Sequence, residues 1–190
     1  LREIVAPLIA ADPEAHHVIM PAVQPFAPSS GGPGPYLEGG DIICYQNHLF
    51  VGESDIATNR AGTDWFADYI EPFGYQVHPM PMHGTILHLL GTMVLVAEGV
   101  LLLYRDELKE PLPAPLADWD VVDLTEEEAR AYATVGVSLD EKRYIIPAGM
   151  GRVCDELAKR GVEPIEIAYD SVSYWGGCVS CSTHAILRDP

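Results

Sequence analysis

The sequence predicts an α+β chain built from one recurring unit, a strand hairpin followed by an amphipathic helix and a returning strand. Three observations lead there. Short apolar runs separated by polar turns recur from residue 36 to residue 169. Stretches with helical spacing of apolar residues lie between some of them. Gly or Pro stops each such stretch before another strand-like run begins.

Residues 1–11 read as a helix and 17–20 as a strand, the second half of such a unit. The loop over 25–35 is rich in Pro, Gly and Ser, residue types that favour turns. Residues 41–45 and 48–52 make the first hairpin across the polar turn Gln46-Asn47. A helix over 58–69 carries Trp65, Phe66 and Tyr69 at helical spacing and is stopped by Pro72 and Gly74, after which 75–80 returns as a strand. The second unit opens on the strand Leu87-His88-Leu89, pairs 93–96 with 100–104 across Ala97-Glu98-Gly99, and ends in a strand over 119–124. Its middle holds Pro111, Pro113 and Pro115, which exclude a long helix. The third unit has a strand at 134–138, another at 143–147, a helix over 151–160 ended by Gly161, and a returning strand at 164–169. Residues 178–187 read as the first half of one more. Two half-units flanking three whole ones suggest a ring of repeats closed by the chain's own ends.

Composition bounds what such a chain does. A length of 190 residues, 48% of them hydrophobic and 21% charged, fits a single domain over 1–190 with a sizeable core. The net charge of -17 repels phosphates and anionic lipid surfaces, which leaves a cationic or neutral small molecule as the easier partner. The most apolar stretch, 86–104, contains His88 and Glu98 and alternates, so it is not a membrane span. The first residues carry no basic segment followed by a cleavage site, hence no secretory signal, and no initiator Met, so residues upstream of Leu1 are expected. The 4 cysteines are too few and scattered for a disulfide framework, and a reducing cytoplasm is the expected location. Cys44 and Cys154 fall on strand and helix patterns as small buried residues.

Three segments carry side chains with chemistry. Glu38 precedes Gly39-Gly40, a pair that permits a sharp turn or a close approach of backbone; alone, it reads as a solvated residue leading into a hairpin. His88 lies among Leu87, Leu89 and Leu90, where a lone imidazole is more often a satisfied core residue than a catalyst. Cys178 follows Gly176-Gly177 and could be a buried thiol at a bend. With Cys181 it forms a C-x-x-C to which His184 could add a ligand, but no second cysteine pair or spaced histidine pair completes a zinc site. The following residues read as strand where a thioredoxin-like motif needs a helix. No metal or cofactor is expected. Taken together, a carboxylate, an imidazole and a thiol at the edges of apolar runs are the parts of a thiol nucleophile served by an oriented acid/base.

The order Glu38-Gly39-Gly40-Asp41, then His88-Leu89, then Gly176-Gly177 with a cysteine near the C-terminus resembles the amidinotransferase and arginine deiminase superfamily, the pentein fold. Val51-Gly52-Glu53-Ser54, Ala57-Thr58-Asn59, Gly74-Tyr75-Gln76-Val77-His78 and Leu139-Asp140-Glu141-Lys142-Arg143 extend the resemblance over most of the chain. It implies a pentein-type α/β propeller of five ββαβ-like units around a central channel, of which about four would be present here. It also implies Cys178 as nucleophile, His88 as general acid/base and Glu38 as the carboxylate orienting the imidazole. The substrate implied is a small cationic guanidino compound such as arginine. Attack on its carbon would leave an amidino group on sulfur for water (deiminase or dihydrolase) or an amine (amidinotransferase) to resolve. Water versus amine and the number of subunits, a homo-oligomer included, stay open. His83 is the other imidazole in register.

The chain departs from the family at three places, one of them a second clamping Asp that the family carries upstream of Glu-Gly-Gly and that has no assignable partner in this sequence. Where the family reads His-x-Asp, with the Asp clamping the guanidinium, this sequence has Leu90. A buried guanidinium without that acid loses about 3 to 5 kcal/mol, so either the substrate is not a simple arginine-like compound or another acid clamps it, with Asp41 the first candidate. Gly177 also abuts Cys178, where the family commonly spaces Gly-Gly from its Cys by two residues. These departures motivate an alternative, a catalytically inactive pentein scaffold or binding protein.

Overall fold

A computed structural model of the chain describes residues 34–54 and 56–183, with Pro7, Ala10, Ala11, Val18 and Met20. Most of the expected first half-unit, most of the 25–35 loop, and His184 with the residues after it lie outside these described residues; the strand expected from residue 178 is not formed over 178–183, where Cys181 N closes a turn on Cys178 O, Ser180 N donates to Val135 O, and Ser180–Ser182 is a 3-10 segment.

A 3-10 turn at Gly39–Asp41 leads into β1 (Ile42–Tyr45), which pairs antiparallel with β2 (His48–Glu53). Helix α1 (Arg60–Ile70) crosses back, and β3 (Gln76–Pro81) pairs parallel with β2. The start of α1 is specified by Asn59, whose side-chain oxygen accepts from Gly62 N at 3.0 Å and from Tyr36 N at 3.1 Å. One residue thus caps the helix and ties down the strand-like segment before the first turn. Gly62 makes this approach possible, because a β-carbon there would sit 1.8 Å from the Tyr36 carbonyl oxygen. Gly62→Ala is therefore expected to destabilise the protein by about 3 kcal/mol, since backbone must shift to make room, and a urea unfolding midpoint would show it.

Next come the one-turn helix α2 (Leu89–Thr92), β4 (Met93–Ala97), β5 (Val100–Leu103) and β6 (Asp120–Asp123). Here β4 and β5 are antiparallel, with an irregularity between Leu95 and Ala97, and β6 is parallel to β5. The crossover from β5 to β6 has only 3-10 turns, Arg105–Glu107 and Ala114–Leu116, as its prolines require. The strand expected over Leu87-His88-Leu89 is not formed: His88 is extended, and a helical turn starts at Leu89. The cause is tertiary, because Leu89 N is capped by the Asp41 carboxylate from 48 residues away.

Helix α3 (Glu126–Arg130) opens on a capping box between Thr125 and Glu128, a Thr-x-x-Glu pattern that strand periodicity on either side obscured. Then follow β7 (Val137–Ser138), β8 (Arg143–Pro147), α4 (Gly151–Lys159), β9 (Glu163–Ile167) and α5 (Asp170–Ser173). β7 is antiparallel to β8 and shorter than expected, and β9 is parallel to β8. The described residues thus form three three-stranded sheets of one topology, β1-β2-β3, β4-β5-β6 and β7-β8-β9.

The middle sheet is buried on both faces. Met93, Leu101 and Leu103 pack with Ile43, Phe50 and Met80 of the first sheet. Val94, Val96, Leu102 and Val122 pack with Tyr144 and Ile146 of the third sheet and with Val153 and Leu157 of α4. Two-sided burial explains why this stretch reads as an almost unbroken apolar run. Among the described residues, no helix is long and apolar enough to cross a membrane.

Candidate active site

Glu38 and His88 meet. The imidazole Nε2 lies 2.6 Å from Glu38 Oε2, across a sequence separation of 50 residues. The pair is partly open, with side-chain exposures of 27% for His88 and 44% for Glu38, so a small molecule can reach it. His83 is exposed and lacks this bond; its backbone N–H donates to Glu107 O at 2.9 Å.

The Gly-Gly pair before β1 is explained by the imidazole. A β-carbon on Gly40 would lie 2.7 Å from both Cγ and Nδ1 of His88, whereas one on Gly39 would meet nothing within 4 Å. Gly40 is thus the floor on which the ring rests. Gly40→Ala is expected to push the ring off Glu38 while leaving the sheets folded; loss of the Glu38-bound imidazole proton from the NMR spectrum, with an unchanged far-UV spectrum, would register this.

Asp41 holds the two halves of the pair in register. It is 1% exposed. Its Oδ1 accepts from Leu89 N at 2.8 Å, and its Oδ2 accepts from Thr58 N at 3.2 Å. Thr58 Oγ1 in turn accepts from Glu38 N at 2.9 Å. Gly52 makes space for this junction, since a β-carbon there would lie 2.8 Å from Asp41 Oδ1. Burial pushes the Asp41 carboxyl above its ordinary range, opposed by hydrogen bonds from Thr58 and Leu89 and by the nearby His88. Each oxygen accepts from a backbone N–H inside the fold, so the carboxylate expected from sequence as the guanidinium clamp also holds Leu89 and Thr58 in place.

A third carboxylate escaped the sequence reading. Glu107 is fully buried. Its Oε1 accepts from Gly84 N at 2.6 Å and from Thr85 N at 2.9 Å, and its Oε2 accepts from the Thr85 hydroxyl. It pins the loop that leads to His88. A buried acid satisfied by N–H and O–H donors 22 and 23 residues away is invisible to motif spacing; its one trace was an acidic residue shortly after the apolar run of β5.

Cys178 is 0% exposed and packs with Val135 and Val179, against Tyr132, Val137, Ile145, Ile167 and Tyr169. Burial raises its pKa, Val179 N–H opposes the shift, and Cys181 adds to it. No hydrogen bond joins Cys178 to His88 or Glu38 among the described residues. Cys181 is the exposed thiol of this turn. Cys154 is buried as expected; its thiol donates to Glu166 at 3.1 Å and is pushed up to about 12, chiefly by burial. Cys44, expected inside, is exposed, because its side chain falls on the opposite face of β1 from Ile43. No group of three or more His, Cys, Asp or Glu side chains suited to a metal occurs among the described residues.

No family model matches the chain. An uncharacterized protein of Bacillus subtilis, YkgA, is 27% identical over 153 residues, covering 80% of this chain and 52% of that protein. The dimethylarginine dimethylaminohydrolase of Pseudomonas aeruginosa is 27% identical over 168 residues, covering 86% of this chain and 63% of the enzyme. Among solved structures, the inosamine-phosphate amidinotransferase StrB1 of Streptomyces griseus superposes with a TM-score of 0.82 at 16% identity, covering 100% of this chain and 60% of that one. The chain thus spans between about half and two thirds of the length of the proteins it matches. The three small sheets thus share the fold of solved amidinotransferase and dimethylarginine dimethylaminohydrolase structures. The resemblance carried by the motifs is that of the structure as well: these neighbours all belong to the pentein superfamily, the amidinotransferases and arginine deiminases.

Proposed function

We propose that the chain forms the catalytic part of an enzyme that modifies the guanidino group of a small, arginine-like cation through a covalent thiol intermediate. The observation that carries this reading is the Glu38–His88 pair at 2.6 Å, open enough for a substrate and built on Gly40 and Asp41. In this reading the three sheets form part of a ring, with the pair facing its channel. The surplus of acidic residues, a net charge of -17, draws a cation toward it.

Glu38 fixes the orientation of the imidazole. A thiolate attacks the guanidinium carbon, and a bound cation favours the thiolate form. As the C–N bond breaks, His88 gives its proton to the departing nitrogen, leaving an amidino group on sulfur. His88 then takes a proton from the water or amine that displaces the sulfur. Cys178 has the sequence position expected of the nucleophile but is sealed in its apolar cluster, whereas Cys181, three residues on, is exposed; we assign the attack to Cys181. Such chemistry fits a reducing cytoplasm, where all four thiols stay free.

The test uses full-length protein incubated with isotopically labelled arginine and related guanidino acids, followed by intact-mass and peptide mass spectrometry. An amidino adduct on Cys181, absent from Cys181→Ala and present in Cys178→Ala, is the expected result. An adduct on Cys178 returns the nucleophile to that residue. No adduct with any guanidino compound argues for a pentein scaffold without catalysis.

A further inference from the structure

We propose that Cys178 and Cys181 form a reversible disulfide when the protein meets a hydroperoxide, with Cys181 oxidised first and Cys178 resolving it. The geometry of the turn supports this. Cys181 N donates to Cys178 O at 3.1 Å, which closes a tight turn running into the 3-10 segment Ser180–Ser182. Such a turn holds its first and fourth Cα within about 7 Å, and bridged cysteines have Cα atoms about 4.4–6.8 Å apart. The side chain of Cys181 also folds back over Gly177, the residue before Cys178. A β-carbon on Gly177, the neighbour of Cys178, would lie 3.0 Å from Cys181 Cβ and 3.1 Å from its Sγ. Gly177 has φ +93, a left-handed conformation that glycine adopts without strain and that lets the two side chains approach. The charge of one thiol is felt by the other, since Cys181 helps to raise the Cys178 pKa.

The two sulfurs differ in the way an oxidised and a resolving thiol must. Cys181 is exposed and can meet a peroxide; Cys178 is 0% exposed, so its neighbour in the turn is the partner within its reach. The other thiols are held elsewhere, Cys154 on Glu166 and Cys44 on the Gln46 carbonyl. In the first step the Cys181 thiolate attacks one peroxide oxygen and the O–O bond breaks. The leaving oxygen takes a proton, sulfur is oxidised to a sulfenic acid, and the peroxide is reduced to water or an alcohol. In the second step Cys178 loses its proton and attacks the Cys181 sulfur. The S–S bond forms, the S–O bond breaks, and the hydroxyl leaves with a proton as water. A thiol reductant reverses the bond by exchange. Because the same Cys181 is assigned above to attack substrate, the disulfide would mask it reversibly, but the redox reaction stands on the turn alone and needs no guanidino chemistry.

The experiment treats full-length protein with hydrogen peroxide, without any guanidino compound, then alkylates free thiols and maps peptides. Both cysteines fall on the tryptic peptide 161–188. The expected result is loss of two hydrogens from that peptide with loss of both alkylation sites, restored by dithiothreitol. Cys178→Ser should instead gain oxygen at Cys181, and Cys181→Ser should leave the peptide unoxidised. Over-oxidation of Cys181 in the unaltered protein without a cross-link would overturn the proposal, as would a disulfide that includes Cys44 or Cys154. A proteolysis pattern shared by all variants confirms that each is folded, and an active or inactive enzyme leaves these readings unchanged.

Discussion

His88→Ala is expected to lower turnover of a guanidino substrate about 10²–10⁴-fold, the usual contribution of a positioned acid/base, with little change in substrate affinity. The imidazole acts twice in the proposed cycle, once to protonate the departing nitrogen and once to activate the acceptor. Both steps slow without it. Glu38→Gln keeps a side chain of the same shape beside Nε2 but removes its negative charge, so a smaller loss confined to kcat is expected. Stopped-time mass spectrometry separates the steps: His88→Ala should form the amidino adduct slowly and release it slowly. A variant that turns over at the unaltered rate would remove the Glu38–His88 pair from the chemistry, however close its contact of 2.6 Å.

Asp41→Ala is expected to destabilise the protein by about 3 kcal/mol at neutral pH and to abolish the Glu38–His88 contact. Truncation strands the N–H groups of Leu89 and Thr58 in a buried junction, and each unsatisfied donor costs about 1–3 kcal/mol. Asp41→Asn is the milder change, since its amide oxygen can still accept from one N–H. The pH dependence distinguishes the two forms. Burial raises the folded-state pKa of Asp41 above the unfolded value of 3.8, so the native state binds the proton more tightly. Stability from this group is therefore full below pH 3.8 and falls as pH rises through the folded-state pKa. The advantage of the unaltered protein over Asp41→Asn should be largest at low pH and shrink as pH rises, measured by urea unfolding across that range. An advantage that instead grows with pH would mean that the buried carboxylate is stabilised by its donors more than burial disfavours it.

The two results would report on one junction. Asp41 caps α2 and reaches Thr58, Thr58 holds Glu38 N, and Gly40 carries the imidazole. A loss at Asp41 should therefore reach kcat through His88, whose following turn it caps. Effects of Asp41→Asn and His88→Ala on turnover are expected to be less than additive, as for residues acting in one network.

What the sequence determined by itself is whatever neighbours in the chain decide. The hairpins 42–53 and 93–103, helices α1 and α4 and the parallel returning strands were readable because period-2 and period-3.6 patterns and Gly or Pro stops are local. The motif order, with Glu38, His88 and a C-terminal cysteine, was readable for the same reason. Tertiary structure alone decided that His88 precedes a helical turn instead of lying in a strand, because the turn is capped by the Asp41 carboxylate arriving from the turn before β1. It also decided that Asp41 and Glu107 are satisfied inside the fold, and that Cys178 is buried while Cys181 is open. Spacing along a chain fixes which face of an element a side chain takes, but burial and partners depend on how three sheets pack. A polar group taken out of water must find its hydrogen bonds wherever that packing brings donors to it.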